Sequence, residues 1–260
     1  MNIKTIVKVM NFHAILRVDR ARRDAEQYDM LEREAARMID VIQNNRNFII
    51  DKWILEAKEN APRLRFYISS DLGFCGAINA SINTMLQNEV EENDVILIGK
   101  KAHTSRMVDL IVSREDFEEK FYQIEEIISD AVKLRKYSGI DICYNHYHNI
   151  SSIEPVIKTI FPVHIDENAE ETYTEDFTVE GADIDTLMER LLTTYLCYEV
   201  KSAAVSSFAS ENIQRQNATT ESLKKIDEIE QEELWNARKV ANAKAAKKVI
   251  DSYVKSKRSE

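Results

Sequence analysis

Two histidines are the residues whose types and spacing come closest to a metal site. His146 and His148 are two positions apart in a stretch that is predicted to be a strand, and such positions face the same side of a strand. Zinc sites commonly combine histidines with a third and fourth ligand. No third ligand is evident near this pair, so we expect no metal here.

A glycine turn at residues 70–76 is the second place where a ligand could bind. It joins a predicted strand at 64–69 to a predicted helix at 77–90, and the N-terminal amides of such a helix can hold phosphate. However, Gly73-x-x-Gly76 is not the dinucleotide-binding pattern, and the Lys-Ser/Thr of a P-loop is missing. We therefore predict a structural turn, with Asp71, Gly73 and Gly76 as its defining residues.

The remaining residues do not form a recognisable catalytic set. There is no serine elbow, no Cys–His pair at a recognisable spacing and no carboxylate pair in a defined turn. Cys75, Cys143 and Cys197 are far apart and odd in number, which favours reduced thiols in a cytoplasmic protein. We predict a chain that is not an enzyme and needs no cofactor.

The charge distribution argues against general nucleic-acid binding, because the 260 residues carry a formal net charge of −10. The basic segment 237–258 has eight cations against the single acid Asp251 and could bind phosphates. Its one aromatic residue is Tyr253, and the preceding segment is acidic, so we expect no nucleic-acid partner. The sequence also lacks an apolar run near the roughly 18 residues of a membrane span, and it has no signal-peptide core.

The elements that position these residues follow from where glycine and proline occur. All five glycines and all three prolines lie between residues 62 and 181, and these two residue types interrupt helices most strongly. Residues 1–61 and 183–260 are therefore predicted to be long helices that pair as an antiparallel coiled coil. Residues 62–182 are predicted to form a central Rossmann-like α/β domain with a mixed sheet. Its predicted strands are 64–69, 95–98, 140–144 and an edge segment at 155–163, and its helices are 77–90 and 117–137.

Two further predictions concern the surfaces of these helices. In an antiparallel pair the start of the first helix lies beside the later part of the second. The basic segment 1–23 is therefore expected to lie beside the basic segment 237–258. Residues 210–222 contain one large apolar residue, Ile213, which predicts a polar and hydrated interface.

Several short motifs occur in a common order along the chain. Residues 70–79 are similar to S/T-D-R-G-L-C-G-G-L-N, residues 6–10 to I-T-K-A-M, and residues 144–147 to Y-N-K-F. Residues 209–219 match A-S-E-x-x-x-R-x-x-A-M-x-x-A-T loosely at the end, and residues 236–238 correspond to N-x-x-R-Q. On these motifs the chain resembles the γ subunit of F-type ATP synthases, the central rotor shaft, over nearly its whole length.

The resemblance implies a non-catalytic subunit that couples rotation to conformational change of a catalytic ring and to ion transport. The ring of α and β subunits would hold the nucleotide sites and would meet this chain at Met10, Arg238 and Lys239. In a complete synthase an ε subunit and a membrane-embedded ion-translocating ring are further partners. The expected location is the cytoplasmic face of a bacterial plasma membrane, within a peripheral complex. His146 falls at an ordinary surface position of the family.

Three departures from the family pattern leave alternatives open. Leu72 replaces the family's arginine in the glycine turn, Lys239 replaces a glutamine, and residues 242–260 replace the usual ending. One alternative is therefore a γ-like subunit of a specialised F-type-like ATPase that is not dedicated to ATP synthesis. An alternative from a different class is a non-rotary helical adaptor or scaffold that holds its partner through the long helices.

Overall fold

A computed structural model describes residues 3–45, 47, 54–89, 93–149, 152–163, 178 and 183–257. The helices are α1 (Ile3–Gln43), α2 (Ile78–Gln87), α3 (Phe117–Lys133) and α4 (Ile184–Lys257). The strands are β1 (Arg63–Ile68), β2 (Asp94–Ile98), β3 (Leu110–Val112), β4 (Gly139–Asn149) and β5 (Ser152–Phe161). The chain divides into two compact units, here called the helical unit (Met1–His13 with Gln216–Glu260) and the α/β unit (Ala14–Arg215).

The α/β unit is built on a five-stranded mixed sheet in the order β3-β2-β1-β4-β5. β1 lies at the centre and pairs in parallel with β2 and β4, so that Phe66 lies opposite Ile96 on one side and Ile142 on the other. β5 runs antiparallel to β4 at one edge. Residues 66–68 of β1 and 95–98 of β2 are continuous apolar and buried runs, as expected for strands covered on both faces. The predicted mixed sheet is therefore confirmed.

Helices cover both faces of the sheet. On one face the largest buried cluster combines sheet residues such as Phe66 with α1, α3 and α4. α3 forms because its buried residues recur every three or four positions, with Glu118 and Glu119 in its first turn and Lys133 in its last. On the other face α2 packs Ile82 and Leu86 against a smaller cluster. The three cysteines are buried and free.

The first helix is shorter than predicted. α1 ends at Gln43, not at residue 61, and the described residues 54–61 contain no α-helix. Asn45 follows its end and accepts the backbone amide of Asn47 with its side-chain oxygen at 2.9 Å. Such local side-chain bonds compete with the helical ladder. The absence of glycine and proline therefore did not suffice to continue this helix.

The last helix is as long as predicted. α4 spans 74 residues, and the strands of the described chain all lie between residues 63 and 161. In the helical unit α1 and α4 run antiparallel, because Lys4 contacts Asp227 and Asn11 contacts Thr220. α1 and α4 also meet within the α/β unit, where the Lys201 ammonium lies 5.9 Å from the Tyr28 ring centroid. The predicted class, a mixed α/β domain with long N- and C-terminal helices, is confirmed.

Candidate interaction surfaces

The start of α1 is held against an acidic stretch of α4 in the helical unit. The Lys4 ammonium lies 2.6 Å from carboxylate oxygens of both Asp227 and Glu230, and the Asn11 amide donates to Thr220 at 2.8 Å. Hydrogen bonds from Lys4 to these two carboxylates raise its pKa above the ordinary value. The expectation that two basic segments lie side by side is therefore wrong. The register places the basic start of α1 beside an acidic stretch instead, so the charges attract.

The contact of Lys4 with Glu230 lies at the start of the described part of α1. The α4 residues that follow Glu230, residues 231–252, are all exposed. Large apolar side chains stand among them, including Leu234 (59% exposed), Trp235 (61%) and Val240 (53%). Apolar groups in such a number on an exposed helix indicate a surface that a partner covers. We call residues 231–252 the exposed segment of α4.

Two of the three residues expected to contact a ring lie on the exposed segment. Lys239 places its ammonium 5.0 Å from the centroid of the Trp235 ring, a cation–π contact. Arg238 is exposed and has no ion-pair or hydrogen-bond partner among the residues that the structure describes. Met10, on α1 of the same unit, is half-buried. The arrangement leaves the Arg238 guanidinium, with its fork of donors, available to a carboxylate.

The glycine turn lies in the α/β unit and is organised by Asp71. One carboxylate oxygen accepts the backbone amides of Lys100 and Arg114 at 3.0 and 3.1 Å, and the other accepts that of Glu115 at 3.3 Å. Ser70 and Asn79 close the turn from within, since the Asn79 side-chain oxygen accepts the Ser70 amide at 3.0 Å. Asp71 therefore ties together backbone segments that follow three different strands.

The two glycines of the turn differ in what they require. Gly76 has φ +63, and a Cβ at this position would come 3.0 Å from the Gln214 side chain on α4. A Cβ on Gly73 would meet no atom within 4 Å. Phe74 also adopts positive φ (60) and is 76% exposed. The close approach of the turn to α4 therefore depends on Gly76.

The part of α4 that faces the turn is buried although it is polar. Glu211 and Arg215 form an ion pair at 2.5 Å with both side chains 7% exposed. The other end of the Arg215 guanidinium donates to Asn212 at 3.2 Å. Ser210 donates to the backbone oxygen of Asn145 at 3.0 Å. The hydrated interface predicted for residues 210–222 is therefore wrong for 210–215, because these polar groups satisfy one another away from water.

Arg114 also lies where the glycine turn faces α4, and the sequence alone did not indicate a role for it. Its guanidinium carbon lies 5.6 Å from the Phe117 ring centroid and 5.0 Å from that of Phe208. Its Nη1 atom is buried and has no hydrogen-bond partner among the described residues. Burial lowers the pKa of Arg114, while the carboxylates of Glu211 and Asp71 oppose that shift, and an arginine stays charged in such a setting. Arg114, Asp71, Glu211 and Arg215 are called the turn junction below.

The two histidines of β4 have protein partners. The His146 Nδ1 atom lies 3.1 Å from the Tyr144 hydroxyl, and the His148 ring pairs with Glu154 on β5. Burial lowers the pKa of His146, and the neighbouring His148 adds to that shift. Within the described ranges, His, Cys, Asp and Glu residues form no group of three or more that could hold a metal ion.

Comparison with known proteins gives one consistent result. The chain matches a family model described as ATP synthase over residues 1–246. It is 27% identical over 189 residues to the ATP synthase gamma chain of Wolbachia sp. subsp. Brugia malayi, a match that covers 64% of this chain and 63% of that relative's length. It is 26% identical over 245 residues to the ATP synthase gamma chain of Mycoplasma mobile, which covers 88% of this chain and 85% of the relative.

Solved structures agree on the fold. The central stalk with c-ring of the Tetrahymena thermophila mitochondrial ATP synthase superposes with a TM-score of 0.54 at 18% identity, over 84% of this chain and 99% of that chain. A mixed sheet between long terminal helices is thus the fold of an ATP synthase central stalk protein. The family model covers most of the sequence, and the chain belongs to the ATP synthase gamma family. None of the helices among the described residues is long and apolar enough to cross a membrane.

Proposed function

We propose that this chain is the central stalk subunit, or rotor, of an F-type ATP synthase or ATPase. It couples its own rotation to conformational change in a catalytic ring of α and β subunits and to ion transport. The observation that supports this role best is the exposed segment of α4, where Arg238 and Lys239 stand among uncovered apolar side chains. An isolated helix of this kind has only marginal stability in water, so a surrounding partner explains it.

The chain acts mechanically, and its proposed role requires no nucleotide site of its own. An asymmetric rotor presents a different surface to each ring subunit as it turns. Where that surface binds one conformation of the subunit more favourably than another, it shifts the subunit towards that conformation. Arg238 provides the directional contact, since a guanidinium binds a carboxylate through two hydrogen bonds. Lys239 and Met10 contribute charge and apolar contact. Catalysis then takes place on the ring subunits.

The wider assembly follows from the same role. In a complete synthase an ε subunit and a membrane-embedded ion-translocating ring bind the stalk. We place the complex at the cytoplasmic face of a bacterial plasma membrane, and the similarity of the chain to ATP synthase gamma chains of Wolbachia and Mycoplasma mobile supports a bacterial complex. A γ-like subunit of a specialised F-type-like ATPase would use the same surface with a different ring.

The test is reconstitution of the full chain with the ATP synthase α and β subunits of the same organism. The isolated chain should not hydrolyse ATP, and the ring should change its ATPase rate when the chain is added. Arg238→Ala should reduce this activation by about tenfold or more, because a hydrogen bond to a charged group is worth about 1.5–3 kcal/mol. Arg238→Lys should restore it only in part, since lysine lacks the two-pronged geometry.

Lys248→Ala is the matched control. It removes one exposed cation from the same segment and should leave activation near the wild-type level at moderate salt, because a lone exposed charge is well screened. Equal and salt-independent effects of the Arg238 and Lys248 variants would refute a specific contact. Copurification with proteins other than ATPase subunits, and no effect on any ring, would favour a non-rotary adaptor.

A further inference from the structure

Two carboxyl groups from different helices meet over the sheet of the α/β unit. Glu32 projects from α1 and Glu199 from α4, and Lys158 of β5 reaches both. The Lys158 ammonium lies 2.6 Å from Glu199 Oε2 and 3.7 Å from Glu32 Oε1. The Tyr195 hydroxyl donates to the other Glu199 oxygen at 2.9 Å. We call Glu32 and Glu199 the carboxyl pair.

The carboxyl pair carries more negative charge than its surroundings compensate. The Glu199 side chain is 2% exposed and that of Glu32 is 18% exposed. With both groups ionised, one ammonium faces two carboxylates, and an uncompensated charge remains away from water. Burial makes such a charge costly. A single proton on the pair removes the excess and leaves one carboxylate opposite one ammonium.

The geometry decides which carboxyl takes the proton. Both Glu199 oxygens already accept hydrogen bonds, from Lys158 and from Tyr195. The Lys158 ammonium lies against both carboxyl groups, so a protonated Glu32 can donate its O–H to the neighbouring Glu199 carboxylate. Burial raises the pKa of Glu32 to about 7, and repulsion from Glu199 adds to the shift while Lys158 opposes it.

The other charged and titratable groups around the pair do not supply this proton. From β4, the Tyr144 hydroxyl faces Lys158 and has a pKa raised by burial, so it stays neutral. His146, which also faces Lys158, has its pKa lowered by burial. On α1, Asp29 faces Glu32 but forms an ion pair with Arg33 at 2.7 Å. The pKa of Lys158 is raised by its two carboxylates although burial opposes this, and it stays charged.

We propose that the junction of α1, β5 and α4 is a proton-binding site that clamps the two helices together. When Glu32 is protonated, its O–H bonds to the Glu199 carboxylate and links α1 to α4. When Glu32 loses the proton, the same two groups repel each other. The site lies within this chain and needs no ring subunit, so it stands or falls independently of the rotor function.

The pH dependence has a definite sign. Because the folded state raises the pKa of Glu32, the folded chain binds a proton more tightly than the unfolded chain does. The stability from this site is therefore fully present at acid pH, below the ordinary value for glutamate, and is lost as the pH rises through about 7.

The experiment measures unfolding of the full chain by urea between about pH 5 and about pH 8.5, a window that brackets the shifted pKa. Across this pH window, deprotonation of Glu32 should lower the folding equilibrium constant of the wild type on the order of tenfold. This is less than the full shift of the Glu32 pKa implies, because Glu32 is partly exposed. Glu32→Gln should remove this fall, since an amide can donate to Glu199 at every pH. Glu34→Gln, an exposed change on the same helix, should keep it.

Infrared spectroscopy of the wild-type chain gives an independent reading that needs no variant to fold. A protonated carboxyl band should appear as the pH falls through about 7, and Glu199→Gln should move its appearance to lower pH by removing the repulsion. The same pH slope in the wild type and in Glu32→Gln would overturn the proposal. So would a wild-type spectrum in which no such band appears above about pH 6, the lower side of the shifted pKa.

Discussion

Breaking the buried ion pair of α4 gives the sharpest test of the turn junction. Glu211→Gln keeps the size and shape of the side chain but removes its charge, so that Arg215 loses its carboxylate at 2.5 Å. The Arg215 side chain is 7% exposed, and water cannot replace the lost partner. Arg114 is also affected, because Glu211 is the largest favourable charge that acts on it.

The magnitude follows from the burial of the pair. Removing one partner of a buried ion pair costs about 3–5 kcal/mol, because the other charge is left uncompensated. The side-chain amide that Glu211→Gln introduces can still accept one hydrogen bond from the Arg215 guanidinium, so we expect a loss of about 3 kcal/mol in the free energy of unfolding. Replacing both partners with methionine should cost less than the sum of the two single changes, since no buried charge then remains.

The chain provides a matched control on the same helix. Glu221 and Lys225 form an ion pair with the same spacing and order at 2.7 Å, but their side chains are 66% and 68% exposed. Glu221→Gln should therefore leave the urea midpoint of the full chain, followed by circular dichroism, unchanged within error. If Glu211→Gln and Glu221→Gln shift the midpoint equally, burial does not govern the strength of the turn junction and this reasoning fails.

Two further predictions concern the α/β unit. Gly76→Ala should destabilise the chain by about 1–2 kcal/mol, because it combines a positive φ with contact to Gln214. Gly73→Ala should be nearly neutral, since its Cβ would meet no atom within 4 Å. Equal urea midpoints of the two variants would contradict this. Burial alone would raise the pKa of Asp141, but the hydrogen bonds from Arg63 outweigh it and the pKa is lowered. At neutral pH, Asp141→Asn should therefore already lack part of the stability that the wild type loses only on acidification below about pH 4. An acid unfolding curve identical to that of the wild type would contradict this.

The long last helix and the mixed sheet could be predicted where long stretches share one signal. The absence of glycine and proline from the 74 residues of α4 permits one continuous helix, although the same absence did not continue α1 past Gln43. β3 has three residues and exists because β2 offers it a partner, which no local pattern reveals. The end of α1 could not be predicted from the positions of glycine and proline, because the Asn45 side chain also competes with the helical hydrogen bonds.

The turn junction shows where composition misleads. Residues 210–215 are polar, and polarity suggests water, yet here the polar groups bond to one another and to the turn. The spacing of Glu211 and Arg215 places opposite charges on one helix face, but it does not reveal their burial, because the exposed pair Glu221 and Lys225 has the same spacing. Arg114 carries no signal of this kind, because its burial depends on Phe208, a residue far along the chain. The replacement of the family's arginine by Leu72 is tolerated because that side chain is 57% exposed.

Buried polar groups fix the position of α4 on the α/β unit more narrowly than an apolar face would. Apolar side chains would find similar contacts after a slip by one helical turn, since dispersion and burial have little direction. Ser210 and Arg215 have particular acceptors, the backbone oxygens of Asn145 and Gly73, at 3.0 and 3.4 Å. A slip of one turn, about 5.4 Å, would break both of these bonds and leave the Ser210 hydroxyl and the two backbone oxygens without these partners, and each buried unsatisfied group costs about 1–3 kcal/mol. The turn junction therefore sets the register of α4, a requirement for any helix that must transmit force without sliding.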